Sequence, residues 1–82
     1  MRIDKFLNSV NITKRRSVSQ DMIASGVVLI NGIAAKASKN VAIGDVITIN
    51  YLNSVKKYEI LQIPQTKSTP KSLQEEYVKE IS

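Results

Sequence analysis

The residues of this chain best suited to chemistry are its cations. Arg2, Lys5, Lys14, Arg15, Arg16, Lys36 and Lys39 all fall within the first fifty positions, opposed there only by Asp4, Asp21 and Asp45. A guanidinium matches phosphate oxygens two at a time, and an ammonium acts as a compact point charge. The chemistry on offer is therefore recognition of a polyanion. Bond-making is poorly supplied. Histidine and cysteine are both absent, which removes imidazole acid–base catalysis, thiolate chemistry and the commonest metal ligands. Ser9, Ser17 and Ser19 have no histidine to activate them. Asp4 and Asp21 sit among cations that favour the ionised, ion-paired carboxylate over a proton carrier. The three glycines, Gly26, Gly32 and Gly44, form no phosphate-cradling loop. The sequence predicts a binder rather than an enzyme, with no cofactor and no metal.

Charge distribution sharpens this. The formal net charge is +5 with a pI near 9.7, yet Glu75, Glu76 and Glu80 lie in the tail against Lys71 and Lys79. The basic surplus belongs to the N-terminal half, as expected of a nucleic-acid footprint. Phe6, Tyr51, Tyr58 and Tyr77 are scattered, so no aromatic row exists on which single-stranded bases could stack. Recognition of folded RNA through shape and backbone remains. No segment approaches the roughly 20 apolar residues of a membrane span, and residues 1–20 lack the apolar run of a signal peptide. A soluble cytoplasmic chain without a membrane partner is expected.

Hydrophobic spacing defines the elements that must hold these cations. Ile3, Phe6, Leu7 and Val10 recur at helical intervals and form one buried stripe; Asn11 can end that helix in the left-handed conformation. A second helix is expected over about 14–25, with Thr13 as N-cap and Val18, Ser19, Met22 and Ile23 inward. Small Ser19 permits close helix packing, and Gly26 stands at the C′ position. Lys14-Arg15-Arg16 would then occupy the first turn, where free backbone N–H groups already attract anions. An arginine of this run is expected to pair with Asp4 or Asp21, bracing the helices while its neighbours stay available.

The period then changes. Val27 to Ile30 is β-branched and apolar, Asn31-Gly32 signals a two-residue hairpin, and Ile33 to Lys36 returns. Val46 to Leu52 alternates, with Ile47, Ile49 and Tyr51 on one side, and Tyr58 to Ile63 reads as a final strand. One domain over residues 1–63 is followed by a linker over 64–71 and a short helical tail over 72–82. Ser72 to Glu75 matches a capping box; Leu73, Tyr77, Val78 and Ile81 supply an apolar stripe. The fold class is α+β: two N-terminal helices on a small antiparallel or mixed sheet, with a short C-terminal helix.

These residues resemble the S-four RNA-binding domain, with its alpha-L motif. The likeness rests on Arg2-Ile3-Asp4-Lys5-Phe6-Leu7, Arg16-Ser17, Met22-Ile23, Gly26-Val27, Ile30-Asn31-Gly32, Lys36-Ala37-Ser38 and Gly44-Asp45-Val46-Ile47, over about residues 1–52. It implies RNA contact through Arg2, Lys5, Arg15, Arg16, Ser17, Gln20, Lys36 and Lys39; the cation reading adds Lys14. Stand-alone forms with a Lys-Arg-Arg triplet before the second helix resemble the small bacterial heat-shock and ribosome quality-control proteins. That resemblance implies binding to ribosomal RNA and tRNA on the large ribosomal subunit after a stall, by a chain monomeric when free. Arg15 stands where the wider family has serine, Ser19 where alanine is common, and the long basic tail of some heat-shock members is missing. Competing expectations are an assembly or regulatory binder of structured RNA that never meets peptidyl-tRNA, and a protein adaptor working through the 72–82 tail.

Overall fold

The computed structural model describes residues 1–64 and 73–81. Helix α1 spans Ile3–Ser9 and helix α2 spans Arg16–Ala24. Strands β1 (Val28–Ile30), β2 (Ile33–Ala34), β3 (Val46–Asn50) and β4 (Val55–Ile60) follow, then a single helical turn α3 (Gln74–Tyr77) and strand β5 (Val78–Glu80). The five strands form one antiparallel sheet in the order β2-β1-β3-β4-β5. The linker expected after Pro64 and the capping-box residue Ser72 lie outside the described residues.

The stripe on α1 is the centre of the core: Ile3, Phe6, Leu7 and Val10 are all fully buried. They meet Ile23 of α2, Val28 and Ile30 of β1, Ile47 and Ile49 of β3, Ile60 of β4 and Val78 of β5. Alternation on β3 explains its share, since residues two apart face the same side of a sheet. Tyr51, expected to continue that face, lies beyond the strand end and is exposed. Asn11 ends α1 with φ 65°.

Helix α2 differs from expectation at its start. Thr13 is buried and does not cap it. Its hydroxyl donates to the Arg15 carbonyl at 3.3 Å and pairs with the Ser19 hydroxyl, so a contact one and a half turns away outcompetes the local cap. The helix therefore begins at Arg16, with extended Arg15 as the N-cap. Lys14 and Arg15 precede the first turn rather than filling it. Fully buried Ser19 lies on the α1 side, whereas Val18, expected inward, is exposed. The C-terminus ends in a Schellman arrangement: Gly26 at φ 81° donates to Ile23 O, and Val27 N donates to Met22 O.

Asn31 and Gly32 both have positive φ, 50° and 84°, giving the I′ turn whose twist suits the β1–β2 hairpin. Asn31 also ties this turn to β3: its side-chain oxygen accepts from Val46 N at 3.0 Å and its amide donates to Asp45 at 3.1 Å. Strand β4 starts three residues earlier than the apolar content of the sequence indicated. Its first three residues, Val55, Lys56 and Lys57, are exposed and are held by register with β3 rather than by burial. The tail also departs from expectation. Among the described residues of the tail, Gln74–Tyr77 form the α-helical turn, and Val78 to Glu80 instead pair with Ile60 to Tyr58. One helical turn is too short to persist alone, whereas the strand gains ladder hydrogen bonds and buries Val78. Gln74 reaches α1, donating to Val10 O at 2.7 Å.

Candidate nucleic-acid interface

Three stretches of chain meet where α1 begins. Arg2 forms a bridge with Asn40, Ile3 N donates to Lys39 O at 2.8 Å, and Val41 N donates to Met1 O at 2.9 Å. The 36–40 loop is thereby strapped along the first residues of the chain. Helix α2 packs across α1 and brings Arg16 and Gln20, one turn apart, to the same place.

The organiser is Asp4. It is fully buried, and its Oδ1 accepts the Lys5 N–H at 2.8 Å. Its Oδ2 receives Gln20 Nε2 at 3.1 Å, Arg2 Nη2 at 3.3 Å, and Arg16 through both Nε and Nη2 at 3.4 Å. A buried carboxylate without partners would be costly, and removing any one partner leaves charge exposed to a low dielectric. Burial pushes its pKa up. The Gln20 hydrogen bond, the Lys5 N–H and the charges of Arg16 and Arg2 outweigh that, so the group is held below the ordinary value. Asp4 is ionised across the physiological range.

Both arginines remain open to solvent, with 48% of the Arg2 side chain and 46% of the Arg16 side chain accessible. A guanidinium has five N–H donors. Arg16 commits Nε and one terminal nitrogen to Asp4, and Arg2 commits one terminal nitrogen there while its Nε donates to Ala37 O at 3.4 Å. Among the described residues the remaining donors have no partner, and each side chain is already held at one side by Asp4. Such an arrangement can take phosphate oxygens without first ordering two long side chains.

The sequence-predicted residues thus divide. Arg2, Arg16 and Gln20 converge on one carboxylate, and Lys36 and Lys39 lie on the loop tied to Arg2 and Ile3. Lys5 follows Asp4 on α1 and is half-buried. Lys14, Arg15 and Ser17 are exposed around the start of α2. None of Lys5, Lys14, Arg15, Lys36 and Lys39 forms an ion pair among the described residues. The expected arginine brace through Asp4 is present, but two arginines share it. Sequence reasoning counted Gln20 among the RNA contacts without placing it on the same acid as Arg16. It also missed Thr13, whose hydroxyl fixes the bend from which Arg15 and Arg16 emerge. The available signal was an aspartate set between Arg2 and Lys5 at the start of a helix whose other face is apolar.

Residues 1–47, which contain this cluster in full, match the S4 domain. The chain belongs to the S4 domain family. Among curated proteins, this S4 chain is 52% identical over 71 residues to the RQC P-site tRNA stabilizing factor of Helicobacter pylori, covering 87% of this chain and 84% of that one. The factor of the same name from Bacillus subtilis is 37% identical over 71 residues, covering 87% and 79%. Among solved structures, the trimeric heat shock protein 15 of Vibrio cholerae superposes with a TM-score of 0.90 at 30% identity, over 100% of this chain and 82% of that one. A solution structure of a hypothetical protein, HP1423, gives 0.86 at 46% identity, over 100% and 98%.

Proposed function

We propose that this S4 domain is a non-catalytic RNA-binding protein of ribosome quality control, engaging ribosomal RNA and tRNA on the large subunit after a translational stall. The observation that carries the reading is the Asp4 cluster: a buried anion that holds Arg2 and Arg16 side by side and half-exposed. A structural ion pair alone would need one arginine. Two, with donors left over and with Lys36 and Lys39 on the adjoining loop in no ion pair among the described residues, fit a curved ribonucleotide backbone. Curated relatives named for stabilising P-site tRNA, at identities up to 52%, support the same pathway. Arg2, Lys5, Lys14, Arg15, Arg16, Ser17, Gln20, Lys36 and Lys39 are the proposed contacts, and the protein works in the cytoplasm as a free monomer that docks on the subunit.

Sedimentation of cell lysates tests this. The tagged protein is expected with split large subunits, enriched when ribosomes are stalled, and the Arg16→Ala variant is expected near the top of the gradient. A wild-type protein found only on assembling subunits, or on RNA unrelated to ribosomes, would overturn the quality-control assignment. Placement of β5 within the sheet weighs against the adaptor alternative, since Val78 of the apolar stripe is consumed by the core.

A further inference from the structure

Beside the Asp4 cluster lies a second feature of different chemistry. Strand β2 is only two residues long, so the chain leaves the sheet at Ala35 and turns back through the 36–39 loop, closed by Lys39 N donating to Lys36 O at 2.9 Å. Between the β1–β2 hairpin and this loop is an open groove of about 470 Å³, within the range of small-ligand sites. Its wall is largely carbon. Ile33 pairs in register with Ile30 and so points to the helix side of the sheet, yet it overhangs the edge and is 72% exposed. Ala35, two residues on and on the same side, is too small to fill the space beneath it. Lys36 and Lys39 stand at the rim with Ser38 between them, and no acidic residue lines the groove.

An isolated exposed isoleucine needs no explanation. One that walls a concave site, next to two unpaired lysines and continuous with a cluster of positioned arginines, has a specific complement. It suits a flat, uncharged ring attached to an anion. A nucleobase turned out of its stack has that form, and apolar side chains are known to receive such bases when phosphate contacts hold the strand. Resting on the RNA-binding reading above, we propose that the groove between the hairpin and the 36–39 loop receives one unpaired nucleotide of the bound RNA. The base lies against Ile33 and Ala35, and the phosphate lies between Lys36 and Lys39. The S4 domain would then read a local irregularity in its target, a bulge or a loop base, in addition to backbone shape.

The test uses two RNA stem-loops that differ only in one unpaired adenosine, with the full chain as it stands. Wild type is expected to bind the bulged RNA more tightly. Ile33→Ala is expected to lose about fivefold on the bulged RNA, as for removing part of an apolar contact, and nothing on the paired one. Because Ile33 is exposed, thermal melting of the variant should match wild type. With 2-aminopurine at the bulge, fluorescence should rise on adding wild type and stay flat with Ile33→Ala. If wild type binds both RNAs equally, or Ile33→Ala weakens both alike, the groove assignment is overturned while RNA binding stands, provided Arg16→Ala still weakens both. If neither RNA binds in a salt-dependent way, the RNA-binding reading fails and the groove with it.

Discussion

Replacing Asp4 with asparagine separates positioning from charge. The substitution keeps the shape of the side chain but leaves one acceptor where there were two, and turns an amide NH₂ towards Lys5 N–H or the Arg2, Arg16 and Gln20 donors. A hydrogen bond to an ionised group contributes about 1.5–3 kcal/mol, and a half-exposed ion pair about 0.2–1 kcal/mol. Retaining one of the two oxygens leaves an expected loss of about 2–3 kcal/mol, or about 10–20 °C in Tm for a domain of this size. The loss should depend on pH. Because the folded-state pKa of Asp4 lies below 3.8, its stabilisation is complete above the unfolded value and disappears as pH falls through the folded one. The gap between wild type and Asp4→Asn should therefore be constant from neutrality to about pH 5 and close below about pH 4. RNA affinity gives the sharper readout. Removing a negative charge from a chain already at +5 should tighten RNA binding if only net electrostatics mattered. If Asp4 holds Arg2 and Arg16 in place, ordering two freed side chains costs about 0.5–1.5 kcal/mol each, and affinity should fall about tenfold. Fluorescence anisotropy against structured RNA, with Tm measured in parallel, decides between them. Equal or tighter binding by folded Asp4→Asn would refute the positioning argument.

Arg16→Ala should lower Tm yet leave the domain folded, because Arg2, Gln20 and the Lys5 N–H still hold Asp4; it should weaken RNA binding and reduce the slope of log affinity against log salt by about 0.7–0.9, one phosphate's worth of counterion release, which a salt titration reads directly. Thr13→Val should cost about 1–3 kcal/mol in chemical denaturation, because it strands the Ser19 hydroxyl between packed helices. Val78→Ala should cost about 2 kcal/mol by emptying part of the core, and hydrogen exchange should quicken at Leu61 and Ile81, whose N–H groups donate to Tyr77 O and Lys57 O between β4 and the β5 segment, while RNA affinity at a temperature well below Tm is unchanged.

Legibility in the sequence followed the range of the interactions involved. The α1 stripe, the left-handed Asn11, the Gly26 terminus and the Asn31-Gly32 turn were readable because each depends on residues within one or two turns. The start of α2 was misread because Thr13 has the chemistry of a cap, and only the approach of Ser19 diverts its hydroxyl. Val18 satisfied the helical period, but it stands at the margin of a face whose buried members are Ser19 and Ile23. The tail was ambiguous for a related reason. Leu73, Tyr77, Val78 and Ile81 fit a helical repeat over a segment too brief for the period to discriminate, and the exposed edge of β4 decides the matter. At the cation cluster, composition gave the residues and a resemblance gave their grouping. The meeting of Arg2, Arg16 and Gln20 on one acid required knowing how the helices cross.

Strand β5 has a consequence for biosynthesis. Everything matched to the S4 domain is synthesised before the β5 strand, so a product that stops short of β5 carries its phosphate-seeking surface while β4 still has an open edge and Ile60 lacks its Val78 cover. Unpaired edges of that sort invite proteolysis and self-association. Synthesis of β5 thus closes the β4 edge, and a product lacking it offers proteases an unpaired strand.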